Sequence, residues 1–69
     1  MATTRITKTY TNPNNNGQER ITRDGERYFI TSDWDGKGFR AQQEVTRHQA
    51  EAGLRYTNAP AEVAAAIFA

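Results

Sequence analysis

The sequence predicts an α+β fold: a three-stranded antiparallel β-meander packed against one central helix, with a short C-terminal helix, in a single domain over residues 1–69. Three observations carry this. Asp24-Gly25 stands between two runs that alternate in polarity, the strongest short-range signal for a β-hairpin. Residues 4–11, TRITKTYT, alternate with period two and are rich in β-branched threonine, which suits a pleated, half-buried strand. Beyond residue 38 the pattern becomes helical, first as far as Gly53 and then again after Asn58.

The elements follow in order. In the first strand Ile6 and Tyr10 face the core with the Lys8 stem beside them, while Arg5, Thr7, Thr9 and Thr11 face out. Residues 12–17, NPNNNG, form a loop, because asparagine and glycine tolerate left-handed backbone and proline lacks a ladder donor. Strands at residues 19–23 and 26–31 flank a type I′ turn at Asp24-Gly25. That turn sets Arg23 opposite Glu26, Ile21 opposite Tyr28 and Glu19 opposite Ile30. One hairpin face then carries Ile21, Tyr28 and Ile30; the other carries Arg20, Thr22, Arg27, Phe29 and Thr31.

Two aspartates and two glycines in residues 32–38 mark a turn. The central helix is expected from Phe39 or Arg40 to Ala52, closed by Gly53 with Leu54 as the apolar cap contact. Ala41, Val45, His48 and Ala52 share one stripe of it, and Arg40, Glu44, Arg47 and Glu51 share another of alternating charge. Residues 54–57 read as a short strand or a loop. Thr57 or Asn58 caps the last helix, Pro60 sits in its first turn, and Val63, Ile67 and Phe68 dock it. The expected core is Ile6, Tyr10, Ile21, Tyr28, Ile30, Trp34, Ala41, Val45, Leu54, Val63 and Ile67.

Sixty-nine residues without cysteine exclude a disulfide scaffold and thiolate zinc sites. So short a chain buries only about 60% of its unfolded surface, so contacts with a partner weigh heavily. The N-terminus has no apolar leader segment, and no stretch approaches a membrane span. A soluble, cytoplasmic protein is expected. The net charge of +1 provides no global field towards nucleic acid.

Catalytic and metal motifs are thin. Counted as a calcium loop, Asp33, Asp35, Gly38 and Glu44 fall at positions 1, 3, 6 and 12, but Lys37 stands at position 5 where a ligand oxygen belongs. Gly36-Lys37-Gly38 lacks the nucleotide-loop patterns, and Asp33 and Asp35 beside it repel phosphate. His48 is the only histidine and Ser32 the only serine, without a nucleophile motif around it. The sequence therefore predicts no enzyme, no cofactor and no metal.

The outer hairpin face is the candidate site. Arg20 and Arg27 flank Phe29 among threonines, a combination suited to pairing with acidic groups and filling a pocket. Trp34, Arg40 and Arg47 complete the candidate partner-binding set. The alternative is nucleic-acid binding, with Arg5, Lys8, Arg20, Arg23 and Arg27 on phosphates and Phe29 stacking. In size, lack of cysteine and lack of catalytic motif the chain resembles small adaptor or inhibitor proteins of bacteria and their viruses, including those that block host defence complexes. That resemblance implies a non-enzymatic module occupying a surface on a larger macromolecular partner, as a monomer or as a homodimer through the C-terminal helix.

Overall fold

The computed structural model describes residues 4–69; the expectation of no apolar leader falls partly on residues 1–3, outside them. Four strands form one antiparallel sheet in the order β1-β2-β3-β4: β1 Arg5–Thr11, β2 Gln18–Asp24, β3 Arg27–Asp33 and β4 Gln43–Val45. Two helices follow, α1 Arg47–Tyr56 and α2 Ala61–Ile67. The α+β class holds. The sheet has a fourth, short strand in the early part of the expected central-helix span, and α1 begins seven residues later than Arg40.

The hairpin turn sits one residue further along than its sequence signal. Asp24 pairs with Arg27, Arg23 with Tyr28, and Ile21 with Ile30, so the two loop residues are Gly25 and Glu26. Gly25 has φ 64° while Glu26 does not enter the positive region, which is the type II′ pattern rather than I′. Moving the turn by one residue moves every cross-strand pair by two, so the parity of each strand survives. Ile21, Tyr28 and Ile30 still share the inner face, and Arg20, Thr22, Arg27, Phe29 and Thr31 the outer one.

The inner face carries the core. Ile21, Tyr28, Ala50, Leu54, Val63 and Ile67 are buried together, with Ile6, Tyr10, Ile30, Val45 and Phe68 packed against them. Each helix contributes an i, i+4 pair, Ala50 and Leu54 from α1, Val63 and Ile67 from α2. α1 lies on β3, and α2 lies on β1 and β2. The Tyr10 hydroxyl meets the Thr57 hydroxyl at 2.6 Å, and burial pushes the Tyr10 pKa up, partly offset by that bond. Arg23 pins the tail: its guanidinium donates to the carbonyls of Gly25, Ile67 and Ala69 at 2.8, 2.9 and 3.1 Å.

Two caps decide where α1 runs. Gln49 N–H donates to Thr46 Oγ1 at 3.1 Å and Thr46 N–H donates to Gln49 Oε1 at 3.0 Å, a reciprocal capping box. At the other end Asn58 takes a left-handed φ of 54°. Ala59 N–H then reaches the Leu54 carbonyl and Asn58 N–H the Arg55 carbonyl, the paired bonds of a Schellman motif. Gly53, expected to end the helix, is inside it, and residues 54–56 complete it, with Thr57 as the C-cap. The expected stripe of Ala41, Val45, His48 and Ala52 is therefore not a helix face: Ala41 is exposed before β4, Val45 ends β4, and His48 and Ala52 face solvent on α1. Pro60 caps α2 from just outside it.

The β1–β2 connection is built around Asn12, whose side-chain oxygen accepts from Asn14 N–H at 2.9 Å and whose amide donates to Glu19 at 3.3 Å. Gly17 closes the loop where the chain passes Trp34. A Cβ on Gly17 would stand 2.8 Å from the Trp34 Cα and 3.0 Å from the Asp33 carbonyl oxygen. Gly17→Ala is accordingly expected to cost about 1–3 kcal/mol by overpacking against backbone, read as a lower thermal midpoint. An unchanged midpoint would show that the loop has room to yield.

Candidate interaction face

Both helices pack on the inner side of the sheet, so the outer face is left without a helical cover. Along it stand Arg5, Thr7, Thr9 and Thr11 of β1, Arg20, Thr22 and Asp24 of β2, Arg27, Phe29 and Thr31 of β3, and Glu44 of β4, placed by the register. Thr22 lies at its centre, 3% exposed, its hydroxyl 3.0 Å from that of Thr7.

One segment folds onto this face. The chain leaving β3 returns at Phe39 and Arg40, held by Arg40 N–H donating to the Ser32 carbonyl at 3.0 Å and by the Thr31 hydroxyl donating to the Arg40 carbonyl. This sets the Phe39 ring under Arg20, whose guanidinium carbon is 3.9 Å from the ring centre. Two further stacks flank it: Arg27 over Phe29 at 5.1 Å and Arg40 over Trp34 at 4.6 Å. An arginine over an aromatic ring is held by cation–π attraction while its N–H fork stays available to an acceptor.

The three arginines differ in what they already hold. Arg27 donates through two nitrogens to Glu44 at 2.8 and 3.0 Å, and these bonds hold the Glu44 carboxyl below its ordinary range. Arg40 donates to both oxygens of Asp35, which lowers the Asp35 carboxyl, helped by the Lys37 N–H. Among the described residues Arg20 has no carboxylate within ion-pair distance. Its guanidinium is positioned by Phe39 and not neutralised.

Comparison with protein families, curated proteins and solved structures yields no match to this chain.

The structure brings together Arg20, Arg27, Phe29, Trp34 and Arg40 of the sequence-predicted set and leaves Arg47 apart. Arg47 opens α1, pairs with Glu51 at 3.1 Å and lies over the Phe68 ring on the helical side. Trp34, expected in the core, is 58% exposed because the 33–38 turn carries it outward. Arg27 stacks on Phe29, with Thr22 rather than Arg20 opposite it across the hairpin; the ring beneath Arg20 is Phe39, which the misplaced helix start concealed. The alternating stripe Arg40, Glu44, Arg47, Glu51 also dissolves, since Glu44 bonds Arg27 and Arg40 bonds Asp35.

The calcium-like spacing folds into something else. Asp33 accepts from Gly36 N–H and Asp35 from Lys37 N–H at 2.8 and 3.0 Å, the side-chain-to-backbone bonds of a tight turn. No group of three potential metal ligands occurs among the described residues. A shallow depression of about 240 Å³ opens between Glu19, Ile30, Ser32, Ala41 and Gln43. His48 stands exposed in α1 and Ser32 half-buried in β3. No helix among the described residues is long and apolar enough to cross a membrane.

Proposed function

We propose that this protein is a small non-enzymatic binding module, of the adaptor or inhibitor kind found in bacteria and bacteriophages. It acts in the cytoplasm as a monomer by occupying a surface on a larger protein or complex, for example a host defence complex. The observation that carries the reading is the outer face without a helical cover, with Arg20 stacked on Phe39 and, among the described residues, without a carboxylate at ion-pair distance. Arginines and aromatic residues are the residue types that dominate binding energy at protein interfaces.

The nucleic-acid alternative is weaker on this geometry. Of its five cations, Arg23 is spent on the carbonyls of Ile67 and Ala69 and Arg27 on Glu44. Asp24 and Glu44 share the outer face with Arg5 and Arg20, and Lys8 lies on the other face.

The test is capture of partner from native-host extract by the immobilised protein and four variants, followed by affinity measurement on the captured species. Arg20→Glu and Phe39→Ala are expected to weaken binding at least tenfold, about 1.4 kcal/mol or more, and Arg27→Glu to weaken it while leaving the fold intact. Arg47→Glu, on the helical side, is expected to bind as the parent does. Unchanged affinity in both Arg20→Glu and Phe39→Ala would overturn the assignment. Capture of nucleic acid with affinity falling steeply in salt would favour the alternative.

A further inference from the structure

Among the described residues the sheet has two open edges of unequal kind. β4 offers three residues, whereas β1 offers seven, paired one-to-one with β2 from Arg5–Asp24 to Thr11–Gln18 without a bulge. The phase of the ladder is visible at its ends. Gly25 N–H donates to the Thr4 carbonyl and Asn12 N–H to the Gly17 carbonyl, so the even-numbered residues of β1 bond β2. In an antiparallel pair the alternate residues turn their backbone groups the other way. The N–H and C=O groups of Arg5, Thr7, Thr9 and Thr11 therefore point to the open edge.

The charges along that edge have one sign. Arg5 and Lys8 are exposed, and residues 4–11 contain no acid and no proline. Antiparallel self-pairing over the full strand would set Arg5 opposite Thr11, Thr7 opposite Thr9, and Lys8 opposite Lys8 of the second copy. Like charges directly opposite each other destabilise a pair. Cations on an edge strand thus discourage copies from joining, and the same cations favour a strand of opposite charge.

We infer that β1 is a second interaction surface, onto which an extended acidic segment of another protein adds as a fifth strand. It would run beside Thr7 and Thr9 with its carboxylates near Arg5 and Lys8, its backbone bonding the four outward N–H/C=O sets. This surface is distinct from the Arg20–Phe39 stack and does not depend on the assignment made there.

The experiment is selection of a displayed library of random seven-residue peptides on the immobilised full chain. Selected peptides are expected to be enriched in aspartate and glutamate, and to slow hydrogen exchange at the N–H groups of Arg5, Thr7 and Thr9. Thr9→Pro removes an outward N–H without touching a bond to β2, so it is expected to fold and to lose these peptides at least tenfold. The double variant Arg5→Glu, Lys8→Glu keeps every N–H and is expected to select basic peptides instead. Peptides without acidic enrichment would overturn the inference. So would protection appearing at Arg20 and Phe29 rather than β1, retention of binding by a folded Thr9→Pro, or a protein that dimerises through β1.

Discussion

A chain ending at Pro60 is expected to be largely unfolded at 25 °C. Removing residues 61–69 takes away Val63 and Ile67, both buried, and Phe68, whose ring centre lies 5.6 Å from that of Tyr28. At about 1.5–3 kcal/mol per fully buried side chain of this type, the loss is on the order of 5 kcal/mol. A chain this size has a net stability of roughly 3–10 kcal/mol. The deletion also uncovers the inner faces of β1 and β2, where α2 packs, and leaves Arg23 with only the Gly25 carbonyl. Circular dichroism and sedimentation check this at several concentrations. A truncated chain that melts where the parent does, beside a dimeric parent, would make α2 an oligomerisation element instead.

Ile21→Ala is expected to cost 2–5 kcal/mol, the range for truncating a buried aliphatic side chain where neighbours relax incompletely. Ile21 is 1% exposed. It sits between Lys8 on one side and Ile30 on the other in the sheet, so neither neighbouring strand can close the gap without breaking its ladder. For a domain of this length each kcal/mol moves the thermal midpoint about 4–8 °C, so a fall of at least 8 °C is expected. Ile6→Ala, at a half-buried position on the edge strand, is expected to fall less. Equal losses at the two positions would mean that the core is not centred on β2.

Much of the sheet was legible in the residues because strand faces depend only on parity. The hairpin turn was misplaced by one residue and mistyped, yet Ile21, Tyr28 and Ile30 landed together, and so did Arg20, Arg27 and Phe29. The helical half was less legible, although one decisive signal was present. Thr46-Arg47-His48-Gln49 is a capping box in plain sequence, and it places the helix start where the structure has it. The period chosen instead, through Ala41 and Val45, ran across a strand and a cap, so it predicted an apolar stripe that does not exist. Ala50 was missed for the same reason. Trp34 was assigned to the core on size alone, and a tight turn held by Asp33 and Asp35 overrides size. The Arg20–Phe39 stack joins residues nineteen apart through a return of the chain over the sheet. No local pattern encodes that return.

The pinning of the last helix against the first two strands orders events during synthesis. β1, β2 and β3 are joined by short connections and can pair as soon as they leave the ribosome, with Ile6, Ile21 and Tyr28 facing water. The segment that covers them, α2, lies more than 25 residues further along the chain than β3 and emerges after it. Until Arg23 finds the carbonyls of Ile67 and Ala69, the nascent chain is a half-dressed sheet with an apolar face and an open edge, the kind of surface on which chains aggregate. Arg5 and Lys8 on that edge set like charges against each other wherever two such sheets meet edge to edge, which disfavours the pairing.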